Sequence, residues 1–427
     1  MTARLTDSLT IGTMTLRNRL YRAPVLEGAG GSTDPAAEYA RHFVPNAAAG
    51  VGLIVQGNTI VLPEGRTSAG MSAVRERSSL LAFAPMTRAV RAEGAAIAIQ
   101  LGHGGMFAIE GWHAEHVRSR LAPPLAPSRP PLWMRPLVGA VHVPSTAEVE
   151  ALVARFGRVA LWAREAGYDA VQLAGANAKL LHQFLSPTYN RRTDRYGGSL
   201  EARTTILREI RAAIAREAGL DFPVLLKFPA LEVAPAGRGI PLEDGLEIAR
   251  LAESAGFDAL TPVAASALPN TSICRGESAS GALENRRLAD LHRRALGGRL
   301  RARITRLAMD RAARRFPFES LWNRPVFGAV KTAVGIPVCA GGGSRTPAEA
   351  AEILARGAAD LIGIGRPFYA EPDLARRFLA GDERAPLCES CNRCLVPQML
   401  GLPGVCYNPE TNRRRAARSA EEALARG

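Results

Sequence analysis

The chain has 427 residues, 47% of them hydrophobic, and a formal net charge of +14. This length and composition suffice for a sizeable buried core and exclude a disordered or fibrous protein. The first twenty residues lack the apolar core of a secretory signal, and no stretch approaches the ~18 consecutive apolar residues of a membrane helix. We therefore expect a cytoplasmic protein with no membrane partner.

Eight short apolar runs alternate with helical patterns along most of the chain. Such runs are typical of parallel strands that are buried on both faces, and their alternation with helices leaves either a doubly wound sheet or a barrel. Eight units within about 380 residues favour an α/β fold of the (β/α)8 TIM-barrel type. The predicted strands span residues 20–24, 52–56, 96–101, 170–173, 223–228, 259–263, 336–340 and 360–363, and the clearest helices span 146–166, 199–218, 241–255 and 347–356.

Two of the predicted connections are unusually long, namely residues 104–145 after the third strand and 264–335 after the sixth. In a barrel, both would lie at the carboxyl-terminal face, where loops build active sites. The last part of the chain differs because it carries four of the six cysteines. We predict a barrel domain over residues 1–380 and a small, separate cysteine-bearing extension over residues 381–427.

A strongly basic block covers residues 286–315, with eleven arginines against two aspartates and a net charge of +9. A block of this kind can mark a nucleic-acid site, but no aromatic residues interleave the arginines as a single-strand binder would require. Leucine and isoleucine recur instead at three- and four-residue steps, which predicts a helix pair with one packed face, broken at Gly297–Gly298. The residues of this predicted face are Leu288, Leu291, Leu300, Ile304 and Leu307.

Glycine-rich turns follow the last two predicted strands. The first reads AGGGSRTP and contains Gly342 and Gly343, and the second reads IGIGRP and contains Gly365 and Arg366. Backbone N–H groups in such turns close around anions, and the loops after strands seven and eight of a barrel are the usual phosphate site. Each turn alone could be only a tight turn, but the pair predicts a phosphate-bearing ligand.

The cysteines of the extension, Cys388, Cys391, Cys394 and Cys406, form the pattern C-x2-C-x2-C-x11-C. In a chain without a secretion signal, this clustering favours a metal site over disulfides. Three thiolates close together with a distant fourth suit an iron–sulfur cluster, whereas zinc sites usually use paired C-x2-C hooks. The isolated Cys339 and Cys274 are predicted to be core thiols, although Cys274 could face a pocket.

The segment GYDAVQLAGANAKLLHQFLSPTYNRRTDRYGGSLEAR, residues 167–203, resembles the signature of the Old Yellow Enzyme family of FMN-dependent oxidoreductases. The segments LRNRLYRAPV, IVQGNTIVLPEGR, AIQLGHGG, PVCAGGGSRTPAEA and GIGRPF agree in order. The cysteine pattern resembles the branch that contains 2,4-dienoyl-CoA reductase and trimethylamine dehydrogenase, where it binds a [4Fe-4S] cluster. The resemblance implies FMN at the mouth of a TIM barrel and NAD(P)H as electron donor.

The resemblance also implies roles for residues at matching positions. A cation beside the flavin N1–O2 edge would stabilise the anionic reduced flavin. His103 is expected to be structural. The implied cofactor contacts are Ala23 and Pro24 behind the isoalloxazine, Gly57 at its edge, Gln100 on the pyrimidine ring, Lys227 near N1–O2, Gly342, Gly343, Gly365 and Arg366 on the phosphate, and Cys388, Cys391, Cys394 and Cys406 on the cluster.

The catalytic segment after the fourth strand departs from the family pattern. Ene-reducing members place His-x-x-His/Asn there to bind a substrate carbonyl, and a proton-donating Tyr two residues later; these positions are Ala174, Asn177 and Lys179 in this chain. Only three lysines accompany 51 arginines, so a lysine here is unusual. Lys179 could act as an acid if burial and nearby Lys227 lower its pKa, or hold an anionic or electron-rich group if charged. A lysine that points away from the pocket is the alternative.

These inferences predict an FMN-dependent oxidoreductase that moves a hydride between NAD(P)H and a small conjugated carbonyl, quinone or flavin acceptor, with the [4Fe-4S] cluster as an electron relay. Asn177 and Lys179 are the predicted catalytic residues. The expected partners are a small-molecule substrate and an electron-transfer protein, with no nucleic acid, and the chain is expected to form a homo-oligomer. Three alternatives stay open: an amine-oxidising or demethylating dehydrogenase, a Schiff-base lyase that uses Lys179, and a non-enzymatic electron-transfer or nucleic-acid-binding protein.

Overall fold

The structure is a computed structural model that describes residues 3–119, 123–235 and 237–424. The outermost residues of the predicted domains 1–380 and 381–427 and part of the long connection 104–145 lie outside these ranges. The strands are β1 (Leu9–Ile11), β2 (Met14–Leu16), β3 (Leu20–Arg22), β4 (Leu53–Ile60), β5 (Ala96–Gly102), β6 (Ala170–Ala174), β7 (Val224–Val233), β8 (Ala259–Ser266), β9 (Cys339–Gly341) and β10 (Leu361–Ile364).

Strands β3 to β10 form one parallel sheet in the order β8-β7-β6-β5-β4-β3-β10-β9. Its two outer strands meet at a parallel bridge between Leu260 and Val338, where the Leu260 N–H donates to the Pro337 carbonyl over 2.9 Å. The sheet therefore closes into a barrel, which leaves few backbone groups unpaired at an edge. All eight predicted strands are confirmed, and so is the predicted (β/α)8 fold class.

The amino-terminal end of the barrel is covered by the antiparallel hairpin β1–β2, which the sequence analysis did not predict. Ile11, Met14 and Leu16 share one apolar cluster with the inward-facing residues of the barrel strands. The Thr13 hydroxyl also donates to the carbonyl of Asp221, just before β7, over 2.7 Å. With this end closed, the mouth at the carboxyl-terminal ends of the strands is the side of the barrel that can take a ligand.

The helices pack around the barrel and in its connections. The start of the helix over residues 146–165 is fixed by a capping box. The Ser145 side chain accepts a hydrogen bond from the Glu148 N–H, and the Glu148 carboxylate accepts one from the Ser145 N–H. The α-helices are α1 (Pro35–Ala48), α2 (Arg77–Leu81), α3 (Ala84–Ala92), α4 (Ala114–Ser119), α5 (Arg135–Val138), α6 (Thr146–Glu165), α7 (Leu180–Leu185), α8 (Leu200–Ala218), α9 (Leu242–Ser254), α10 (Arg286–Ala295), α11 (Arg299–Arg315), α12 (Arg324–Ala333), α13 (Pro347–Ala355), α14 (Pro367–Ala370), α15 (Leu374–Leu379), α16 (Leu395–Met399) and α17 (Pro409–Leu424). Short 3-10 segments cover Ala29–Gly31, Pro63–Gly65, Gly105–Phe107, Ile109–Gly111, Leu132–Met134 and Ala279–Glu284.

The basic block forms the predicted pair of helices, α10 and α11, separated at Gly297–Gly298. Helix α10 buries Leu288 against the extension as expected. The prediction of a packed face is wrong for α11, because Leu300, Ile304 and Leu307 are 72%, 55% and 59% exposed. Helix α11 is instead held through its other side, where Asp310 accepts hydrogen bonds from the hydroxyls of Ser278 and Ser280.

The cysteine-bearing extension lies against the barrel and its loops. The buried Val396 of α16 shares an apolar cluster with Ala282 and Leu288. The Gly404 N–H donates to the Glu27 carbonyl over 2.6 Å, beside the end of β3. Within the described ranges, no helix has the length and the apolar run that crossing a bilayer requires.

The exposure of α11 gives a first prediction. Replacing Leu300, Ile304 and Leu307 together by glutamine should change the free energy of unfolding by less than about 1 kcal/mol, because no packed contacts are lost. Leu288→Ala in α10 should cost about 2–4 kcal/mol through the cavity it leaves. Urea denaturation of the two variants checks this difference, and equal destabilisation would show that α11 is packed in solution.

Candidate functional site

Side chains that face the barrel interior change from apolar to polar toward the mouth. Every second residue of a barrel strand faces the interior. The next inward-facing residue after Ala98 of β5 is therefore Gln100, and the next one after Leu225 of β7 is Lys227. The parallel register sets Lys227 beside Ala174 of β6. The polar upper layer therefore contains residues that the sequence analysis assigned to cofactor and substrate.

A chain of amides and a hydroxyl crosses this upper layer. Gln100 donates from Nε2 to Oε1 of Gln172 over 2.8 Å, and Gln172 donates from Nε2 to Oγ1 of Thr261 over 3.4 Å. Each amide fixes the orientation of the next, so the layer presents a defined set of polar atoms to the mouth. This arrangement fits both the predicted flavin contact of Gln100 and the alternative of an interior polar pair.

Lys227 is the first partly exposed residue along β7. Among the described residues, none accepts a hydrogen bond or forms an ion pair with its ammonium group. Burial lowers the pKa of Lys227, and the Cys274 thiol partly opposes this shift. A half-buried ammonium group of this kind is a strong donor for an anionic or carbonyl oxygen at the mouth.

Lys179 lies at the N-terminus of α7 and points across the mouth to the loop that follows β4. Its Nζ donates to Oγ1 of Thr67 over 2.9 Å. Burial lowers the pKa of Lys179 to about 8, so the side chain can release a proton near neutral pH. Lys179 is therefore buried and hydrogen-bonded, and its role in the reaction stays a prediction.

His103 follows β5 directly and is buried beside Lys179. Burial, with a smaller contribution from the Lys179 charge, lowers the pKa of His103 to about 4. Its Nδ1 accepts from the Gly105 N–H over 3.0 Å, which places the proton of the neutral ring on Nε2. No described residue accepts a hydrogen bond from this buried Nε2, although the sequence analysis treated His103 as structural.

Asn177 and Ala178 adopt left-handed backbone conformations with φ of 60° and 54°. This turn directs the Asn177 side chain to Asn270 in the long loop after β8. The Asn177 Nδ2 donates to the Asn270 Oδ1 over 2.8 Å, and the Asn177 Oδ1 accepts from the Asn270 N–H over 2.7 Å. The predicted catalytic Asn177 therefore joins two loops at the mouth, which leaves one of its amide hydrogens for a substrate.

Asn58 is a candidate site residue that the sequence analysis did not select. The ladder between β4 and β5 shifts register between Gln56 and Thr59, and such a bulge re-aims a side chain. Both amide atoms of Asn58 are buried without a partner in the described chain. A Cβ on Gly102 would lie 2.5 Å from the Asn58 Oδ1 and 2.8 Å from the Ala174 Cβ. Asn58 is therefore adjacent to Ala174, the position that corresponds to the first carbonyl-binding histidine of the family pattern.

Gly57 and the loop after β3 approach each other closely. A Cβ on Gly57 would lie 1.8 Å from the carbonyl oxygen of Val25, so only glycine fits at this position. Ala23 and Pro24 are half-buried at the end of β3. Gly365 completes the group, since a Cβ there would lie 3.1 Å from Val25 and 4.0 Å from Ala23. The structure thus brings Ala23, Pro24 and Gly57, the predicted contacts of the isoalloxazine, close to Gly365, a predicted contact of the phosphate.

The turns after β9 and β10 present backbone donors. Gly342 and Gly343 have φ of 107° and 103°, a conformation that favours glycine, and they lie against Leu321 and Trp322. Among the described residues, none accepts from the backbone N–H groups of Gly342, Gly343 or Gly365. The hydroxyl of Ser344 is also buried without a partner there. These donors form a cradle that an anion such as a phosphate would fit, and Ser344 is a second residue that the sequence analysis did not select.

The side chain of Arg366 takes a different direction from the one predicted. Its guanidinium donates to the Asn392 Oδ1 and, over 2.9 Å, to the Arg275 carbonyl. Arg345, which follows the first glycine turn, likewise donates to the Cys388 carbonyl and the Ser390 hydroxyl. Both arginines therefore bind the cysteine-bearing extension, and only the backbone of Arg366 stays with the glycine cradle.

The four cysteines of the extension line one cavity, together with Arg366 and Tyr369. Asn408 donates to the Cys391 sulfur over 3.5 Å. Burial raises the pKa of the Cys394 thiol, and Arg366 opposes this shift. In the part of the chain that the structure describes, no group of three or more His, Cys, Asp or Glu side chains is arranged to hold a metal ion. Cys339 is buried in β9, as predicted, whereas Cys274 lies between Lys227 and this cavity.

Comparison with known proteins places the chain among flavoproteins. A model of the NADH:flavin oxidoreductase / NADH oxidase family matches residues 5–260 and 283–384. The NADH oxidase of Thermoanaerobacter brockii is 28% identical over 415 residues, which cover 92% of this chain and 56% of that protein. The 4,4'-dithiodibutanoate disulfide reductase of Rhodococcus erythropolis is 28% identical over 389 residues, covering 90% of both chains.

A solved complex of 2-naphthoyl-CoA reductase superposes with a TM-score of 0.75 at 20% sequence identity, over 96% of this chain and 58% of that chain. At this identity, the superposition shows the fold alone. The chain spans little more than half the length of the NADH oxidase and of the naphthoyl-CoA reductase.

The burial of Lys179 gives a prediction about stability. The pKa of Lys179 is about 8 in the folded state, below the ordinary value of 10.5. At pH 7 the buried ammonium group therefore lowers the free energy of unfolding. Lys179→Met should therefore raise the free energy of unfolding by roughly 1–3 kcal/mol at pH 7.

This gain should shrink as the pH rises from 8 to 10.5, because the folded lysine loses its proton before the unfolded one does. Denaturation of both proteins at pH 7 and pH 10 measures the difference. A gain that does not depend on pH would show that Lys179 has the same pKa in the folded and unfolded states, and hence that its ammonium group is not buried.

Proposed function

We propose the function of this protein from the family to which it belongs. The chain is a member of the NADH:flavin oxidoreductase / NADH oxidase family, and this membership confirms the resemblance found in the sequence. We infer that the protein is an FMN-dependent oxidoreductase that takes electrons from NAD(P)H and reduces a small conjugated carbonyl or quinone. The observation that carries this proposal is the set of unpartnered donors at one mouth of the barrel.

The mouth fits FMN at both ends of the cofactor. Backbone N–H groups of Gly342, Gly343 and Gly365 and the buried Ser344 hydroxyl would hold the phosphate. Lys227 would lie at the flavin edge, where an ammonium group stabilises added negative charge. When bound, FMN supplies a carrier that accepts a hydride from NAD(P)H and delivers it to the acceptor.

The acceptor would be bound by donors on the opposite side of the mouth. Asn58 and the Nε2–H of His103 are buried donors without partners among the described residues, and either can bind a carbonyl oxygen. These two groups would take the place of the histidine donor that ene-reducing members of the family have at the position of Ala174. The Lys179 side chain has a pKa of about 8 and is therefore protonated at neutral pH. Its ammonium group can supply the proton that the acceptor needs after hydride delivery.

The cysteines of the extension would hold the [4Fe-4S] cluster. The chemistry of the donor set supports this assignment, because four thiols surround one cavity and Arg366 lies beside them to offset thiolate charge. When bound, a cluster would supply a carrier of single electrons. An electron-transfer protein as partner and a homo-oligomeric state complete the proposal.

Oxidation of an amine is the second candidate, and the charges at the mouth argue against it. Lys179 and Lys227 both place ammonium groups there, and a cationic amine would be repelled by them. Glu27, the carboxyl group next to Gly57, is already paired with Arg22 at 2.7 Å. Reduction of a neutral or electron-rich acceptor is therefore the direction that the electrostatics favour.

Anaerobic half-reactions test this function. The FMN-reconstituted protein should be bleached by NADPH or NADH, and 2-cyclohexenone or benzoquinone should restore the colour. Lys179→Met should bleach at the normal rate but regain colour roughly 10²–10⁴-fold more slowly, because the proton donor is lost. In the unsubstituted protein the second step should slow as the pH rises through about 8, where Lys179 loses its proton, and the Met variant should lack this inflection.

Lys331→Met is the matched control, because Lys331 pairs with Asp360 at 2.8 Å on the helix layer, outside the mouth. It should leave both half-reactions unchanged. Normal reoxidation in Lys179→Met would remove Lys179 from the reaction, and a protein that takes up no FMN would reject the function. Borohydride trapping of a carbonyl compound on Lys179 would favour the lyase alternative instead.

The cluster assignment has its own test. Anaerobically purified protein should contain about four iron atoms and as many labile sulfides per chain. Cys394→Ser should lose most of both, because Cys394 is one of the four proposed ligands. Cys339→Ala, which removes a thiol in β9, should retain the iron. Stoichiometric zinc in place of iron, or full iron content in Cys394→Ser, would contradict the assignment.

A further inference from the structure

A large cleft opens beside the proposed active site, between the loop after β5 and the basic helix pair. Its volume is about 930 Å³, which lies within the range of ~300–1,000 Å³ typical of small-molecule sites. One wall is α4 with the residues before it, and the other is the end of α10 with the Gly297–Gly298 turn and the start of α11. Ala69 and Leu400 also line the cleft.

Positive charge dominates this cleft. Four arginines line it, Arg118, Arg293, Arg294 and Arg299, together with His113 and His116. Glu115 is the acidic residue among its lining side chains, and in the part of the chain that the structure describes Asp290 forms an ion pair with Arg293, at 2.9 Å. Within the described ranges, no carboxylate forms an ion pair with Arg118, Arg294 or Arg299. Concentrated charge in a concave surface attracts anions more strongly than the same charge on an open face.

The cleft also has the apolar surface that a base or an acyl chain needs. Leu291, Ala295 and Leu400 lie among the arginines. The cleft adjoins the loop that contacts Lys179, because its lining residue Ala69 is two residues beyond Thr67, the hydrogen-bond partner of Lys179. A ligand held here by its anionic end could therefore extend its reactive end toward the barrel mouth.

We propose that this cleft binds the adenosine diphosphate moiety of a reactant, with the pyrophosphate on Arg294 and Arg299. Planar guanidinium groups suit phosphate oxygens because they donate in pairs. Two kinds of reactant carry this moiety, namely NAD(P)H and an acyl-CoA thioester. The inference rests on the proposed function for the identity of the reaction, but the binding of the moiety can be measured without it.

Calorimetric titration of the full-length protein with ADP and with coenzyme A tests the cleft directly. The double variant Arg294→Gln/Arg299→Gln should bind at least about tenfold more weakly, since two charge-assisted contacts are lost. The matched control is Arg303→Gln/Arg311→Gln, which removes the same charge from exposed positions of α11 that do not line the cleft. The control should bind within about twofold of the unsubstituted protein, because screening weakens distant charges.

Kinetics of the FMN-loaded protein distinguish the two sources. If the cleft holds the hydride donor, the Arg294/Arg299 variant should raise the KM for NADPH but leave reduction by reduced nicotinamide mononucleotide, which lacks the ADP moiety, unchanged. If it holds a thioester, NADPH kinetics should stay normal while coenzyme A binding falls. Either result supports the proposal.

Absence of binding by both ADP and coenzyme A would overturn the inference, as would equal weakening in the Arg294/Arg299 and Arg303/Arg311 variants. Failure of the proposed function has a different signature. A protein that takes up no FMN, yet binds ADP in a manner that depends on Arg294 and Arg299, would retain the cleft and reject the flavin reaction.

Discussion

Closure of the parallel sheet is the constraint on which the rest of this structure depends. The strands β8 and β9, which would otherwise be the two edges of the sheet, meet at a bridge between Leu260 and Val338. Closure forces all eight carboxyl ends to one mouth, and the β1–β2 hairpin covers the other end. Residues far apart in sequence, such as Asn58, Lys179, Lys227 and Ser344, are thereby assigned to the same end of the barrel.

The electrostatics of that mouth explain the use of lysine in a chain that otherwise relies on arginine. An arginine stays charged in any protein environment, whereas burial can bring a lysine close to neutrality. Lys179 and Lys227 both have lowered pKa values because they are buried. The third lysine, Lys331, has an ordinary structural role in its ion pair with Asp360. Lys179, with a pKa of about 8, thus combines positive charge with the capacity to exchange a proton near neutral pH.

The extension and the glycine turns are mechanically connected. Arg345 and Arg366 each follow one of the two turns, and both guanidinium groups bind the loop that carries the first three cysteines. The backbone of these turns offers donors to a phosphate, while their side chains hold the cysteine loop. Two arginines therefore connect the glycine turns directly to the cysteine loop and hold the extension at the barrel mouth.

The sequence by itself determined the barrel, its strands, the two long connections and the family, because apolar runs, glycine turns and a long signature are local patterns. It also selected Lys179 and Lys227, since a rare residue type at a strand end is visible without coordinates. Only the tertiary structure decided which polar groups lack partners, and so revealed Asn58, Ser344 and the donor on His103. It also redirected Arg366 to the extension and exposed Leu300, Ile304 and Leu307, because periodicity shows that a helix has an apolar face but not whether another element covers it. Hydrogen-bond partners and burial depend on residues distant in the chain, and these were fixed when the barrel closed.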